Sequence, residues 1–148
     1  MPAARQKNFD AYKSTEISTA SQGKLIVMMY EGSIRFLKIA MDNLSLKTYD
    51  IANNHIIKAQ DIITELMLSL NMEEGGEISQ NLFNIYAYMK KRLLEGNMSK
   101  DRDVLAEVVK LLERLKGAWE EVAAKESAKP ENPSSQIRAQ GISFSIKG

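Results

Sequence analysis

The chain has 148 residues, 44% hydrophobic and 26% charged, with a net charge of +1 and no cysteine. That length and balance fit one globular domain with a core of its own rather than a disordered chain. The near-neutral, interleaved charge offers no field for nucleic acid or an anionic membrane, and the missing cysteines exclude disulfides, zinc ribbons and thiol catalysis.

Residues 1–20 are polar, with isolated apolar side chains at Phe9, Tyr12 and Ile17, and no apolar run of signal-peptide length. They read as an arm, either loose or docked through those three residues. Ser21 is a suitable N-cap for a first helix over Leu25–Leu44. That stretch carries two apolar stripes: Leu25, Met28, Met29, Phe36, Ile39 and Ala40 make one, and Ile26, Tyr30, Ile34, Leu37, Met41 and Leu44 make the other. A helix with two stripes meets neighbours on two sides. Lys24, Glu31, Arg35 and Lys38 rule it out as a membrane span. Gly32 costs about 1 kcal/mol against alanine in an exposed helix and is better tolerated where another helix comes close.

A second helix is expected over Asp50–Leu70, with Ala52, His55, Ile56, Ala59, Ile62, Ile63, Leu66, Met67 and Leu70 at three- and four-residue steps. Gly75-Gly76 predicts a tight reversal through positive φ. A third helix follows over Glu77–Glu95, with Ile78, Leu82, Ile85, Tyr86, Met89 and Leu93 on one face, widened by Phe83 and Leu94. Gly96-Asn97 predicts its stop. A fourth runs over Lys100–Lys125 on Val104, Leu105, Val108, Leu111, Leu112, Leu115, Trp119 and Val122, with Glu121 and Lys125 as a supporting pair. From residue 127 the chain reads as a linker and tail. Two prolines precede GISFSIKG, where Ile142, Phe144 and Ile146 alternate at strand period. The whole predicts an all-α, antiparallel up-down four-helix bundle over 21–126, with an N-terminal capping segment and an extended C-terminal tail.

Motifs for chemistry are absent: no P-loop, GxGxxG, GxSxG or HExxH. The single histidine, His55, is too few for a di-iron bundle. Asp61 and Glu65, one turn apart, could join His55 around a metal, but a solvated helix face explains them as well. No enzyme, metal or cofactor is expected. Eight methionines in 148 residues, and apolar residues beyond one stripe on three helices, leave a surplus that suits a flexible apolar partner. The rival reading is a structural bundle that associates with itself through the same surplus.

Four segments resemble the FliS family of flagellar export chaperones. TASQGKLIVMMYEGSIRFL is similar to its first helix, with T-A-S-x-x-K-L and M-x-Y-E-G-x-I-x-F-L. IIKAQDIITELMLSLNMEEGGEIS is similar to its second helix and turn, LFNIYAYMKKRLLEGN to its third, and LLERLKGAWEE to its fourth. Ala11-Tyr12-Lys13 falls where the family has an aromatic-bearing segment; Gln22-Gly23 stands where it commonly has proline and an acid. The resemblance implies a cytoplasmic, non-enzymatic helical bundle. Such a protein holds the disordered C-terminal region of flagellin in an apolar groove, prevents premature polymerisation and aids type III export. It implies the export gate and other assembly factors as further partners, with a homodimer open. On this reading Phe9, Tyr12 and Ile17 are a movable cover. Leu25, Met28 and Met29 from the first helix and Ile56, Ile63 and Met67 from the second line the groove.

Overall fold

A computed structural model describes residues 22–128. The expected arm, the tail after residue 128 and the proposed cap Ser21 lie outside the described residues. Four helices follow one another: α1 (Gln22–Met41), α2 (Tyr49–Leu68), α3 (Met72–Ser99) and α4 (Arg102–Ala128). A single 3-10 turn, Leu46–Thr48, precedes α2. No strand occurs among the described residues, so the all-α bundle read from the sequence is what forms.

Cross-helix contacts fix the direction of each rod. Phe36 meets His55 while Gly32 meets Ile62, so α1 and α2 run oppositely. Asn53 bonds to Asn97 and Gln60 to the Lys90 carbonyl, which sets α2 against α3. Gly96 lies against Leu105 while Arg92 pairs with Glu107 two residues further along α4. Lys38 pairs with Glu113, and Gly23 bonds to Glu126. The helices therefore alternate up and down, each beside its sequence neighbours, with α4 closing back on α1. Short connections leave little alternative. One end of the bundle, the near end, holds the start of α1 and the finish of α4; the far end holds the turns at 42–48 and 100–101.

One residue in three or four from each helix fills the centre. Leu37, Ile56, Ile63, Leu66, Met89, Leu93, Leu105, Val108 and Leu112 have essentially no exposure. Across the diagonal from α1 to α3, Tyr30 and Tyr86 join hydroxyl to hydroxyl at 2.5 Å. Their rings sit 6.5 Å apart and tilted. Trp119, whose indole N–H is a donor only, stands by the pair and works against the effect of burial on both phenols. Burial pushes the Tyr86 phenol up to about 12. Burial, then the neighbouring Tyr86, raises Tyr30 well above its ordinary value too. The core thus contains one satisfied polar knot, which specifies how two non-adjacent helices meet.

Three expected boundaries move. α1 stops at Met41 rather than Leu44, because Asn43 turns back and its amide donates to the Ile39 carbonyl at 2.8 Å. The Gly75-Gly76 reversal is a kink within α3. Asn71 caps a first turn by accepting from the Glu74 N–H, and Gly76 then takes φ 54°, ψ −128°. Gly96-Asn97 does not stop α3, which runs to Ser99 and closes on a left-handed Lys100. Gly96 is instead a packing residue: a Cβ there would lie 3.1 Å from Val104 and Leu105 side-chain carbons of α4. On α4 the four-residue ion pair is Lys116–Glu120 at 3.0 Å, not Glu121–Lys125.

Candidate protein-binding surface

The residues singled out from the sequence divide into three groups. Phe9, Tyr12 and Ile17 lie outside the described residues. Ile56 and Ile63 are wholly enclosed by the bundle, so in this conformation they are core and offer nothing to the outside. Both sit on the α2 stripe that faces the centre, where the period of a core face and of a groove face is the same. Leu25, Met28, Met29 and Met67 are half-buried. The first three belong to the flank of α1 nearest α2, together with Phe36. Beside them Ile62 reaches to within 3.3 Å of where a Gly32 Cβ would stand. His55 lies against Phe36, its Nδ1 2.8 Å from the Ile51 carbonyl, and Lys58 stands over the Phe36 ring at 5.4 Å. This α1/α2 seam is a shallow, largely filled channel.

A more open apolar surface runs along the outer side of α2 and α3. Ile57 and Leu68 on α2 are 43% and 74% exposed; Phe83, Leu94 and Met98 on α3 are 38%, 55% and 79% exposed. Successive steps of three or four residues carry Phe83, Ala87, Lys90, Leu94 and Asn97 along the flank of α3 toward α2. Asn53, Ile57, Gln60, Thr64 and Leu68 do the same on α2. The register set by the Asn53–Asn97 and Gln60–Lys90 bonds places Ile57 by Leu94 and Leu68 by Phe83. Between those two apolar pairs the floor is polar but satisfied. Lys90 Nζ donates to Thr64 Oγ1 at 2.7 Å, and the lysine stem covers the seam. The strip from Leu68 to Ile57 is roughly 16 Å long at about 1.5 Å per helical residue, and Met98 extends it.

The other two seams are charged. On α3/α4, the Tyr88 hydroxyl donates to Glu107, and Arg92 bridges Glu107 and Glu95 at 2.9 and 2.8 Å. The Tyr88 bond, with Arg92 behind it, holds the Glu107 carboxyl below its usual range. On α1/α4 a cleft is lined by Glu31, Arg35, Lys38, Asp42, Glu113 and Lys116 around Ile34 and Ile39. Of the candidate metal ligands, Asp61 and Glu65 are exposed and His55 faces Phe36 on the α1 side. No three such side chains converge among the described residues. No helix of the described chain is long and apolar enough to cross a membrane.

Phe83 and Leu94 stood out in the sequence only as a widening of the core face, and Ile57 and Leu68 not at all. The signal was available: at about 100° per residue, positions 83 and 94 fall about 100° off the buried stripe of α3, and positions 57 and 68 fall about 150° off that of α2.

Two comparisons bear on identity. The family model described as flagellar protein FliS matches residues 5–126. The chain is 32% identical over 123 residues to the flagellar secretion chaperone FliS of Bacillus subtilis, covering 83% of this chain and 91% of that one. It is 35% identical over 114 residues to the flagellar secretion chaperone FliS of Salmonella typhimurium, covering 75% and 83%. With FliSB of Pseudomonas aeruginosa the figure is 33% over 108 residues, covering 73% and 86%. All are chaperones, a non-enzymatic class. A match of this length, carried by the same helices that build the bundle, places the chain in the FliS family of flagellar secretion chaperones.

Proposed function

We propose that this chain binds the C-terminal region of flagellin, keeps it from polymerising prematurely and delivers it to the type III export gate. The first contact is an amphipathic helix of flagellin laid along the α2/α3 strip. The observation that carries this reading is the row Leu68, Phe83, Ile57, Leu94 and Met98, exposed in a line on a bundle whose other outer seams are charged or filled. Scattered single apolar side chains are ordinary on a surface, but apolar pairs facing each other across one seam at two levels are not. Covering a large apolar side chain gains roughly 1.5–3 kcal/mol when it goes from open to buried. Five partly open ones and their counterparts on flagellin give a gross gain on the order of 10 kcal/mol, much of which ordering of the flagellin segment takes back. Binding between micromolar and nanomolar, reversible without hydrolysis, follows.

Leu25, Met28 and Met29 take a supporting part. With Phe36 and Ile62 they form the α1/α2 seam, the nearer one for the arm that carries Phe9, Tyr12 and Ile17, because that arm joins α1 at its first turn. The test is calorimetric titration with the C-terminal segment of the cognate flagellin. The expected result is a one-to-one complex with a negative heat-capacity change, weakened at least tenfold by Phe83→Glu or Leu94→Glu while helicity holds. Unaltered affinity in both variants would move the site elsewhere. A protein that ignores the segment and self-associates would be the structural bundle.

A further inference from the structure

α1 begins without an acid in its first turn. Its leading N–H groups need an acceptor, and the positive end of the helix favours an anion. The acceptor comes from the other end of the chain. Glu126 of α4 is 5% exposed, and its Oε1 accepts from the Gly23 N–H at 2.9 Å. A carboxylate is seldom so enclosed without a dedicated partner. The approach is also as close as the backbone permits. A Cβ on residue 23 would stand 2.8 Å from that same Oε1, 3.1 Å from the Ala123 Cα and 3.2 Å from the Ala123 N. Glycine at 23, the small residue at 123 and the acid at 126 are one fitted set.

We propose that Gly23 and Glu126 form a clasp, a conformational device that makes the first turn of α1 and the last turns of α4 open and close as one unit. The chain enters α1 one residue before the clasp and ends α4 two residues after it. The clasp therefore ties the roots of both terminal segments to a single point, and a pull on either is felt at both. The bond is charge-assisted, an N–H donating to a carboxylate, which makes it stronger than an ordinary backbone contact. It lies at the near end, where helix termini fray most readily and local opening is least costly. The inference is independent of where flagellin binds.

Hydrogen exchange on the full chain tests it, following amides of 22–27, 120–126 and the central core separately. Glu126→Ala is expected to raise exchange at least tenfold in both terminal stretches, while core amides such as those of Ile63 and Met89 keep their protection. Gly23→Ala should do the same with the carboxylate intact, since the added methyl forces the helices apart. Adding Gln22→Glu to Glu126→Ala supplies a local anion; it should return protection to 22–27 and leave 120–126 open. Faster exchange at 120–126 alone, or no change at either end, would overturn the clasp. A uniform rise through the core would overturn it too, because the ends would then have no opening of their own. If Glu126→Ala abolishes folding, Glu126→Gln retains an acceptor of the same size, and the same two-ended pattern at smaller amplitude is required of it.

Discussion

Ile57 and Ile63 lie six residues apart on one helix and have opposite fates: the first is 43% exposed, the second has no exposure. Ile63→Asp should leave an unpaired charge in the core and unfold the bundle, read as loss of helical circular dichroism. Ile57→Asp should keep the fold, with a stability by urea titration within about 0.5 kcal/mol of the parent. The sequence marks both as apolar; helical phase sets them about 120° apart, and the helices that become neighbours decide which of the two directions faces the centre. The Tyr30–Tyr86 pair was legible only as two core aromatics, since their meeting spans 56 positions. Both phenols keep their protons past the pH of about 10 at which a free tyrosine loses its own. The unfolded chain therefore binds fewer protons above that point. The stability they lend is complete below pH 10 and declines as the pH climbs toward about 12. Tyr86→Phe should cost about 1–2 kcal/mol at neutral pH and make the alkaline decline shallower, as urea titrations across the alkaline range would show.

The four helices could be read from periodicity because each buries a stripe, and burial of a stripe is what makes a helix persist. Their ends could not be read as well. Gly96 has the look of a terminator, yet α3 passes through it and packs it against α4, whose Val104 and Leu105 side chains stand 3.1 Å from where a Cβ would lie. Gly76 does take positive φ, but within α3, since Asn71 has already started a helical turn before it. Local chemistry proposes an ending, and the neighbouring helix decides whether it is used. Gly96→Val should therefore destabilise by roughly 1–3 kcal/mol through overpacking against Val104 and Leu105, despite a better helix propensity. Gly117, whose Cβ would meet nothing within 4 Å, is the control: Gly117→Ala should raise the melting temperature by the few degrees that about 1 kcal/mol brings.

At the scale of the molecule, the bundle closes its centre with one face of each helix and disposes of the remaining faces differently. Two seams are laced with ion pairs, one is filled by Phe36 and Ile62, and the α2/α3 side is left with a row of open apolar side chains. That a surplus exists was legible from the count of apolar residues; which side carries it was not, because it depends on which helices become neighbours. The methionines are well placed to report on it. Met98 lies on the strip, Met72 at the end of the bundle where α2 hands over to α3, Met28 and Met29 on the α1/α2 side, and Met89 in the core. Methyl resonances of labelled methionine, followed as the flagellin C-terminal segment is added, read all of them at once. The account predicts that Met98 shifts first and furthest while Met89 stays in place. Saturating binding that leaves Met98 unmoved would contradict it.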